Sequence, residues 1–127
     1  MIATPLNPAA VPASPFYSQG IEVRDAGRLV LVSGQVGVGA DGVPAEGVAA
    51  QATQAVANLH AVLAEAGLTP AHLVKLTIYL TDPGDVGPFM AAAGASLPQP
   101  PPATTLLLVA GLADPSLRVE IEAVAAA

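Results

Sequence analysis

Two glutamates near the end of the sequence have the type and spacing needed for acid–base chemistry. Glu120 and Glu122 alternate with apolar residues in Val119-Glu120-Ile121-Glu122-Ala123, so both carboxylates lie on one face of a predicted strand. A carboxylate among apolar neighbours is costly unless it is paired or used. Desolvated at an interface, one glutamate can activate a water molecule as a general base. The alternative is a solvated polar face with a weak ion pair to Arg118, and the pattern alone leaves both interpretations open.

Other candidate residues lie nearer the start of the chain. Ser33-Gly34 ends a predicted strand, where a glycine lets a ligand approach the backbone and free N–H groups can bind a carbonyl or an anion. Tyr17 is placed either in a pocket wall or in ordinary packing. Neither His60 nor His72 has a partner at the spacing of a triad or a metal site, and we expect His60 on a helix surface. With no cysteine in the chain, we expect no disulfide, no thiolate chemistry and no cysteine-ligated metal.

Hydrophobic periodicity predicts a small α+β framework for these residues. The predicted strands are Tyr17–Arg24, Arg28–Ser33, His72–Thr81, Thr104–Ala110 and a last strand through Glu120, and the predicted helices are Val48–Ala66 and Val86–Ser96. The first two strands flank a turn at Asp25-Ala26-Gly27, as in a β-hairpin. Gly67 supplies a left-handed stop for the long helix. The prolines Pro100-Pro101-Pro102 delay the fifth strand because they lack backbone donors.

Composition indicates one domain that associates with itself. The length of 127 residues favours a single domain, 1–127, in which residues 1–14 are an extended lead-in. Hydrophobic residues make up 53% and charged residues 11%, against about 25% charged in typical soluble domains. Leu106-Leu107-Leu108 is apolar on both faces, whereas one helical layer covers only one side of a sheet. We therefore expect another subunit to cover the second side.

The charge balance excludes several classes of function. The net charge is −6 with four basic residues, so we expect no binding of nucleic acid, which requires clustered Lys and Arg. No apolar segment approaches the roughly 20 residues of a membrane span, so we expect no membrane insertion. The N-terminus lacks the basic region of a signal peptide, which makes a cytoplasmic location the default expectation.

The ordered set of motifs resembles the RidA/YjgF family of enamine and imine deaminases. The matching segments are Pro15-Phe16-Tyr17-Ser18-Gln19-Gly20, Val32-Ser33-Gly34-Gln35, Gln51…Gln54…Asn58-Leu59, Ala66-Gly67, Val74-Lys75-Leu76-Thr77-Ile78-Tyr79-Leu80, Pro102-Ala103 and Val119-Glu120-Ile121-Glu122-Ala123. Each segment is weak evidence alone, but together they span almost the whole chain in the right order.

This resemblance implies a RidA/chorismate-mutase-like fold: a single mixed β-sheet with two helices packed on one face, and a homotrimer whose sheets form a central barrel. It implies a small-molecule site at each subunit interface, where reactive imines or enamines are hydrolysed to a carbonyl compound and ammonia without a metal or cofactor. By analogy, Glu120 holds the attacking water, Tyr17 lines the pocket, and the backbone at Ser33 and Gly34 contacts the substrate.

The sequence departs from the family pattern at Thr104. After the Pro-Ala pair the deaminases carry an arginine that grips the substrate carboxylate, and threonine has no charge to replace it. Leu106 and Met90 make the predicted pocket wall more apolar, so we expect a less anionic substrate than usual, bound by Thr104, Leu106 and Met90 with the residues above. Two alternatives stay open: a biosynthetic tailoring enzyme that promotes dehydration or cyclisation, and a non-catalytic trimer that binds a metabolite.

Overall fold

The chain folds into six strands and two α-helices. A computed structural model describes residues 1–127. The strands are β1 (Ile2–Leu6), β2 (Gly20–Arg24), β3 (Leu29–Val36), β4 (Leu73–Leu80), β5 (Ala103–Leu108) and β6 (Val119–Ala126), and the helices are α1 (Val48–Glu65) and α2 (Val86–Ala93). Strands β3, β6, β4 and β5 form, in that order, a mixed sheet in which only β4 and β5 are parallel. Two helices pack against this sheet, which confirms the predicted α+β class.

The strands on either side of Asp25-Ala26-Gly27 exist, but the hairpin expected between them is wrong. β2 pairs with β1 in a separate two-stranded sheet, and β3 pairs with β6. The backbone N–H groups of Gly27 and Arg28 donate to the carbonyl of Ala127 at 2.8 and 3.1 Å, which directs β3 towards the C-terminal strand. Within the expected N-terminal lead-in, Ile2–Leu6 is a paired strand. The local turn was readable from sequence, whereas partners distant in the chain decide the pairing.

Helix α1 follows the predicted bounds closely. It begins after Gly47 and ends at Glu65, with Ala66 as the C-cap, followed by Gly67 at a φ of 73°, a left-handed conformation that glycine adopts without a Cβ clash. Its buried residues are Val48, Gln51, Ala52, Ala55, Leu59 and Leu63. Helix α2 is shorter than predicted because its last turn tightens into a 3₁₀ segment, Gly94–Ser96. No helix is both long and apolar enough to cross a bilayer.

Strand β4 has one buried side, as its alternation predicts. Leu76, Ile78 and Leu80 are buried, but a register shift near the start of the strand puts Leu73, and not the predicted Val74, into the core. The opposite face of the sheet carries exposed leucines beside polar side chains such as Glu120 and Tyr79: Leu31 of β3 is 75% exposed and Leu107 of β5 is 45% exposed. The single chain therefore buries one side of its sheet and leaves leucines on the other in contact with solvent.

Candidate active site

A cavity of about 310 Å³ lies between the two helices and the helix-facing side of the sheet. Its lining residues are Phe16, Tyr17, Val56, Leu59, His60, Leu73, Leu76, Ile78, Val86, Phe89, Met90, Ala93, Gly94, Ser96, Leu97, Thr104, Leu106 and Ile121. Fourteen of these eighteen residues are hydrophobic, and none is Asp, Glu, Lys or Arg. The cavity is therefore suited to a largely uncharged small molecule.

Four of the predicted substrate-binding residues meet in this cavity. Tyr17, Met90, Thr104 and Leu106 come from the N-terminal segment, α2 and β5, and all of them line it. Tyr17 is 37% exposed and lies at the rim. The Thr104 hydroxyl donates to the carbonyl of Pro102 at 3.1 Å, so its hydrogen is already engaged.

The proline tract and Ser18 hold Tyr17 at the cavity. Ser18 is buried, and its hydroxyl donates to the Pro101 carbonyl at 2.6 Å while its backbone N–H donates to the Pro102 carbonyl at 3.2 Å. Prolines have no N–H to donate, but their carbonyls remain free to accept. Ser18 also forms an isolated parallel bridge with Ala103 at the start of β5. The N-terminal segment is thereby fixed beside the strand that carries Thr104.

Glu120 lies on the other face of the sheet. Because side chains alternate along β6, Ile121 contributes to the cavity and Glu120 projects from the opposite side. A Cβ placed on Gly34 would lie 2.6 Å from Cδ of Glu120, so a side chain there would displace the carboxylate. The close approach expected at Gly34 is thus made by Glu120 itself. Ser33 is exposed in the same irregular part of β3, and neither residue lines the cavity.

The carboxylates of Glu120 and Glu122 have different surroundings. The Tyr79 hydroxyl donates a short hydrogen bond to Glu122. That bond, with burial and the negative charges of Glu122 and Glu120, raises the pKa of Tyr79 above its ordinary value. Glu120 is opposite Tyr79 in the strand register but makes no hydrogen bond or ion pair within the chain. Of the two glutamates, Glu120 is the one with a free carboxylate.

No lysine or arginine side chain reaches the cavity. Arg118 forms a bidentate ion pair with Asp85, which is buried. The Nε of Arg118 donates to Oδ2 of Asp85 at 2.9 Å, and a terminal guanidinium nitrogen donates to Oδ1 at 2.7 Å. Arg24 pairs with Glu22, and Lys75 donates to the hydroxyl of a threonine on β5. None of the four basic side chains lines the cavity, so none stands in for the arginine missing at position 104.

The sequence reasoning missed His60. This residue, expected on a helix surface, is half-buried and lines the cavity. Burial lowers the pKa of its imidazole from the ordinary value. A signal was present, because His60 lies one helical turn after Val56, a residue of the predicted apolar face. His72 instead accepts from the backbone N–H of Thr69, which caps a short 3₁₀ segment. Nowhere do three His, Asp or Glu side chains come together as a metal site would require.

A mixed sheet covered by two helices over an apolar cavity defines a class of small α+β domains. The chain matches the model of the family described as Endoribonuclease L-PSP over residues 8–127, and it belongs to that family, the RidA/YjgF proteins. The recognition made from its motifs is thereby confirmed.

Solved structures and curated relatives agree with this assignment. YyfB of Yersinia pestis, a Rid-family protein of unknown function, is 35% identical with a TM-score of 0.86 over all of both chains. RidA from an Antarctic Psychrobacter is 34% identical with a TM-score of 0.75, covering 95% of this chain and 94% of its own. Protein DfrA of Myxococcus xanthus is 40% identical over 111 residues, which are 86% of this chain and 83% of DfrA.

Proposed function

We propose that the protein hydrolyses an uncharged imine or enamine to a carbonyl compound and ammonia, with Glu120 as the general base and the apolar cavity as the substrate site. The observation that carries the proposal is the division of the predicted site. Tyr17, Met90, Thr104 and Leu106 line one cavity, whereas the free carboxylate of Glu120 lies beside Gly34 on the opposite face of the same sheet.

A second copy of the chain would unite these two halves. Strand β5, which carries Thr104 and Leu106, is an edge strand of the four-stranded sheet. The exposed leucines Leu31 and Leu107 lie on the same face as Glu120. Packing this face against the β5 edge of a neighbour would bury them and bring a Glu120 to a cavity mouth. We propose a homotrimer of this kind, the arrangement that the family resemblance implies.

The reaction needs only water and a base. Glu120 takes a proton from water as the oxygen bonds to the imine carbon, and the C=N electron pair moves to nitrogen. Nitrogen then takes this proton from Glu120, which returns to the carboxylate form. The resulting carbinolamine then collapses: its hydroxyl proton is transferred through Glu120 to nitrogen, the C–N bond breaks, and ammonia leaves. An enamine enters the same path after proton transfer to its carbon. The apolar cavity limits access of bulk water to the bound substrate.

The proposed substrate is a small, uncharged molecule. An anionic substrate would be desolvated with no cation among the cavity residues. The description of the family names an endoribonuclease, but this chain has a net charge of −6, and its few basic side chains are dispersed and partly paired. Phosphate backbones are held by clustered Lys and Arg, so the proposal takes a metabolite and not RNA.

The Glu120→Gln variant tests the proposed function. A flavin amine oxidase acting on a branched arylalkyl amine generates a neutral ketimine in the assay, and released ammonia is measured above the spontaneous rate. We expect kcat to fall about 10²- to 10⁴-fold with KM nearly unchanged, the usual effect of losing a general base. Size-exclusion chromatography with light scattering checks that the assembly persists.

The matched control is Glu122→Gln, on the same strand and face. Its carboxylate is already engaged by Tyr79, so this variant should retain most of the wild-type rate. Full activity in Glu120→Gln would remove Glu120 from the mechanism.

A further inference from the structure

We infer that His60 is the polar anchor of the cavity and that its ligand is a neutral, hydrocarbon-rich carbonyl compound or the corresponding imine, with a single hydrogen-bonding group. This inference rests on the proposed function only in taking that ligand to be the substrate or product. Binding of this ligand class to the cavity can be tested without any turnover.

Few side chains in the cavity lining are polar. They are Tyr17, His60, Ser96 and Thr104. Tyr17 and Ser96 are exposed and lie at the rim. The Thr104 hydroxyl hydrogen is already donated to Pro102. His60 is thus the half-buried polar group with an N–H still available to donate to a ligand.

His60 is free to bind. No hydrogen bond or charge within the chain acts on its ring, whose altered titration comes from burial alone. No fully buried side-chain polar atom lacks a partner in the structure, so the free nitrogens of His60 are accessible and not sealed in the core. Since burial lowers its pKa, the imidazole is neutral near pH 7. A neutral imidazole has one N–H to donate to a carbonyl oxygen and one lone pair to accept from an imine N–H.

The size of the cavity and the polarity of its walls limit the molecules that it can bind. An apolar cavity of about 150 Å³ is known to hold benzene, so 310 Å³ has room for a molecule of roughly ten to twelve non-hydrogen atoms. The walls include Leu76, Phe89 and Ile121, all nearly inaccessible to water. A carboxylate would lose its hydration there without gaining a cation. A ring or branched hydrocarbon ending in a ketone or imine meets these requirements.

Three probes of similar size test this class by titration calorimetry. Benzylacetone carries a neutral ketone, phenylbutanoate a carboxylate, and butylbenzene no polar group. We expect benzylacetone to bind at least about tenfold more tightly than phenylbutanoate, because the anion is desolvated without a partner. Equal or tighter binding of phenylbutanoate would overturn the inference.

Substitution of His60 separates its hydrogen bond from the apolar contacts. In His60→Leu the affinity for benzylacetone should fall about three- to tenfold, the range for one lost hydrogen bond, while that for butylbenzene stays the same or rises. Circular dichroism confirms that the variant is folded. A parallel loss of both ligands, or of neither, would show that His60 is not the anchor.

A cavity-filling variant locates the binding site. Gly94 lines the cavity, its φ is −59°, and a Cβ built there meets no atom within 4 Å, so a side chain can be introduced at this position. We expect the leucine of Gly94→Leu to reduce the free volume of the cavity. It should abolish binding of benzylacetone and butylbenzene. Gly87, at the other end of α2, has equally open surroundings but does not line the cavity. Gly87→Leu is therefore the matched control and should bind both probes normally.

The binding experiments and the kinetic experiments can contradict their predictions independently of each other. If the probes bind as described but no imine is hydrolysed, the cavity assignment stands and the proposed function is wrong. If imines are hydrolysed with dependence on Glu120 but Gly94→Leu leaves binding intact, imine hydrolysis by Glu120 stands, and the assignment of the cavity as the ligand site is wrong.

Discussion

Under the proposed function, Thr104 is the residue whose type most directly sets the charge of the substrate. It faces the cavity from β5, and no cationic side chain lies in the lining. Thr104→Arg would place a guanidinium at this wall. We expect kcat/KM for enzymatically generated 2-iminobutanoate to rise at least about tenfold, since a hydrogen bond to a charged group contributes about 1.5–3 kcal/mol. Formation of the 2-oxo acid measures the rate, and the neutral ketimine should react more slowly in the same variant.

Thr104→Gln is the control for side-chain length without charge. It should not gain activity on the anionic imine. If the wild-type protein already hydrolyses 2-iminobutanoate as fast as Thr104→Arg does, the missing arginine does not set the substrate charge, and the assignment of an uncharged substrate is wrong.

At the level of elements, Gln51 joins three parts of the chain. It lies on α1 and is 2% exposed. Its side-chain nitrogen donates to the carbonyls of Ala45 at 3.0 Å and Ser116 at 2.9 Å, and its oxygen accepts from the backbone N–H of Arg118 at 2.8 Å. A Cβ at Gly37 would lie 2.4 Å from Cβ of Gln51, so the helix approaches the backbone closely here. These contacts fix the beginning of β6 and hence the position of Glu120.

Replacing Gln51 by leucine keeps the approximate volume and removes these bonds. We expect the free energy of unfolding to fall by roughly 2 kcal/mol, because backbone groups lose their partners in a partly buried place. Urea unfolding followed by circular dichroism measures the change.

Gln54→Leu provides the comparison, because Gln54 lies three residues after Gln51 on the same helix. Gln54 makes one side-chain bond, to Asn58 at 2.9 Å, so its loss should cost less than about 1 kcal/mol. Equal destabilisation by the two variants would contradict a special role for Gln51.

Elements governed by local periodicity were predictable, and those governed by partner choice were not. The bounds of α1 and the buried side of β4 follow from spacing over eight or more residues. The pairing of β2 with β1, and the register shift that buries Leu73, depend on contacts with segments far along the chain. The polar amide of Gln51 alone predicts it on the polar side of α1. Its burial requires a carbonyl from the loop just before α1, and a carbonyl and an N–H from the distant segment that leads into β6, which no local pattern reveals.

For the molecule as a whole, composition and structure both indicate apolar surface that the single chain does not cover. A chain with 53% hydrophobic and 11% charged residues leaves Leu31 and Leu107 exposed on the sheet face opposite the helices. The family resemblance predicts that Tyr17, Met90, Thr104 and Leu106 share one pocket. It also predicts Glu120 in that pocket, but it does not show that β6 presents Glu120 on the opposite face of the sheet. A single chain cannot reveal whether the two halves meet, since that depends on how copies associate.

Mixing two inactive variants tests whether the site spans two copies. Glu120→Gln keeps the cavity and lacks the base, whereas Gly94→Leu keeps the base and lacks the cavity. If each site takes its cavity from one copy and Glu120 from the next, random mixed trimers in equal proportion contain one intact site in about four. After co-expression or exchange of subunits, we therefore expect about one quarter of the wild-type rate of ketimine hydrolysis per site, although each variant alone is inactive. If both halves belonged to one chain, mixing would restore nothing, because every chain carries one of the two lesions.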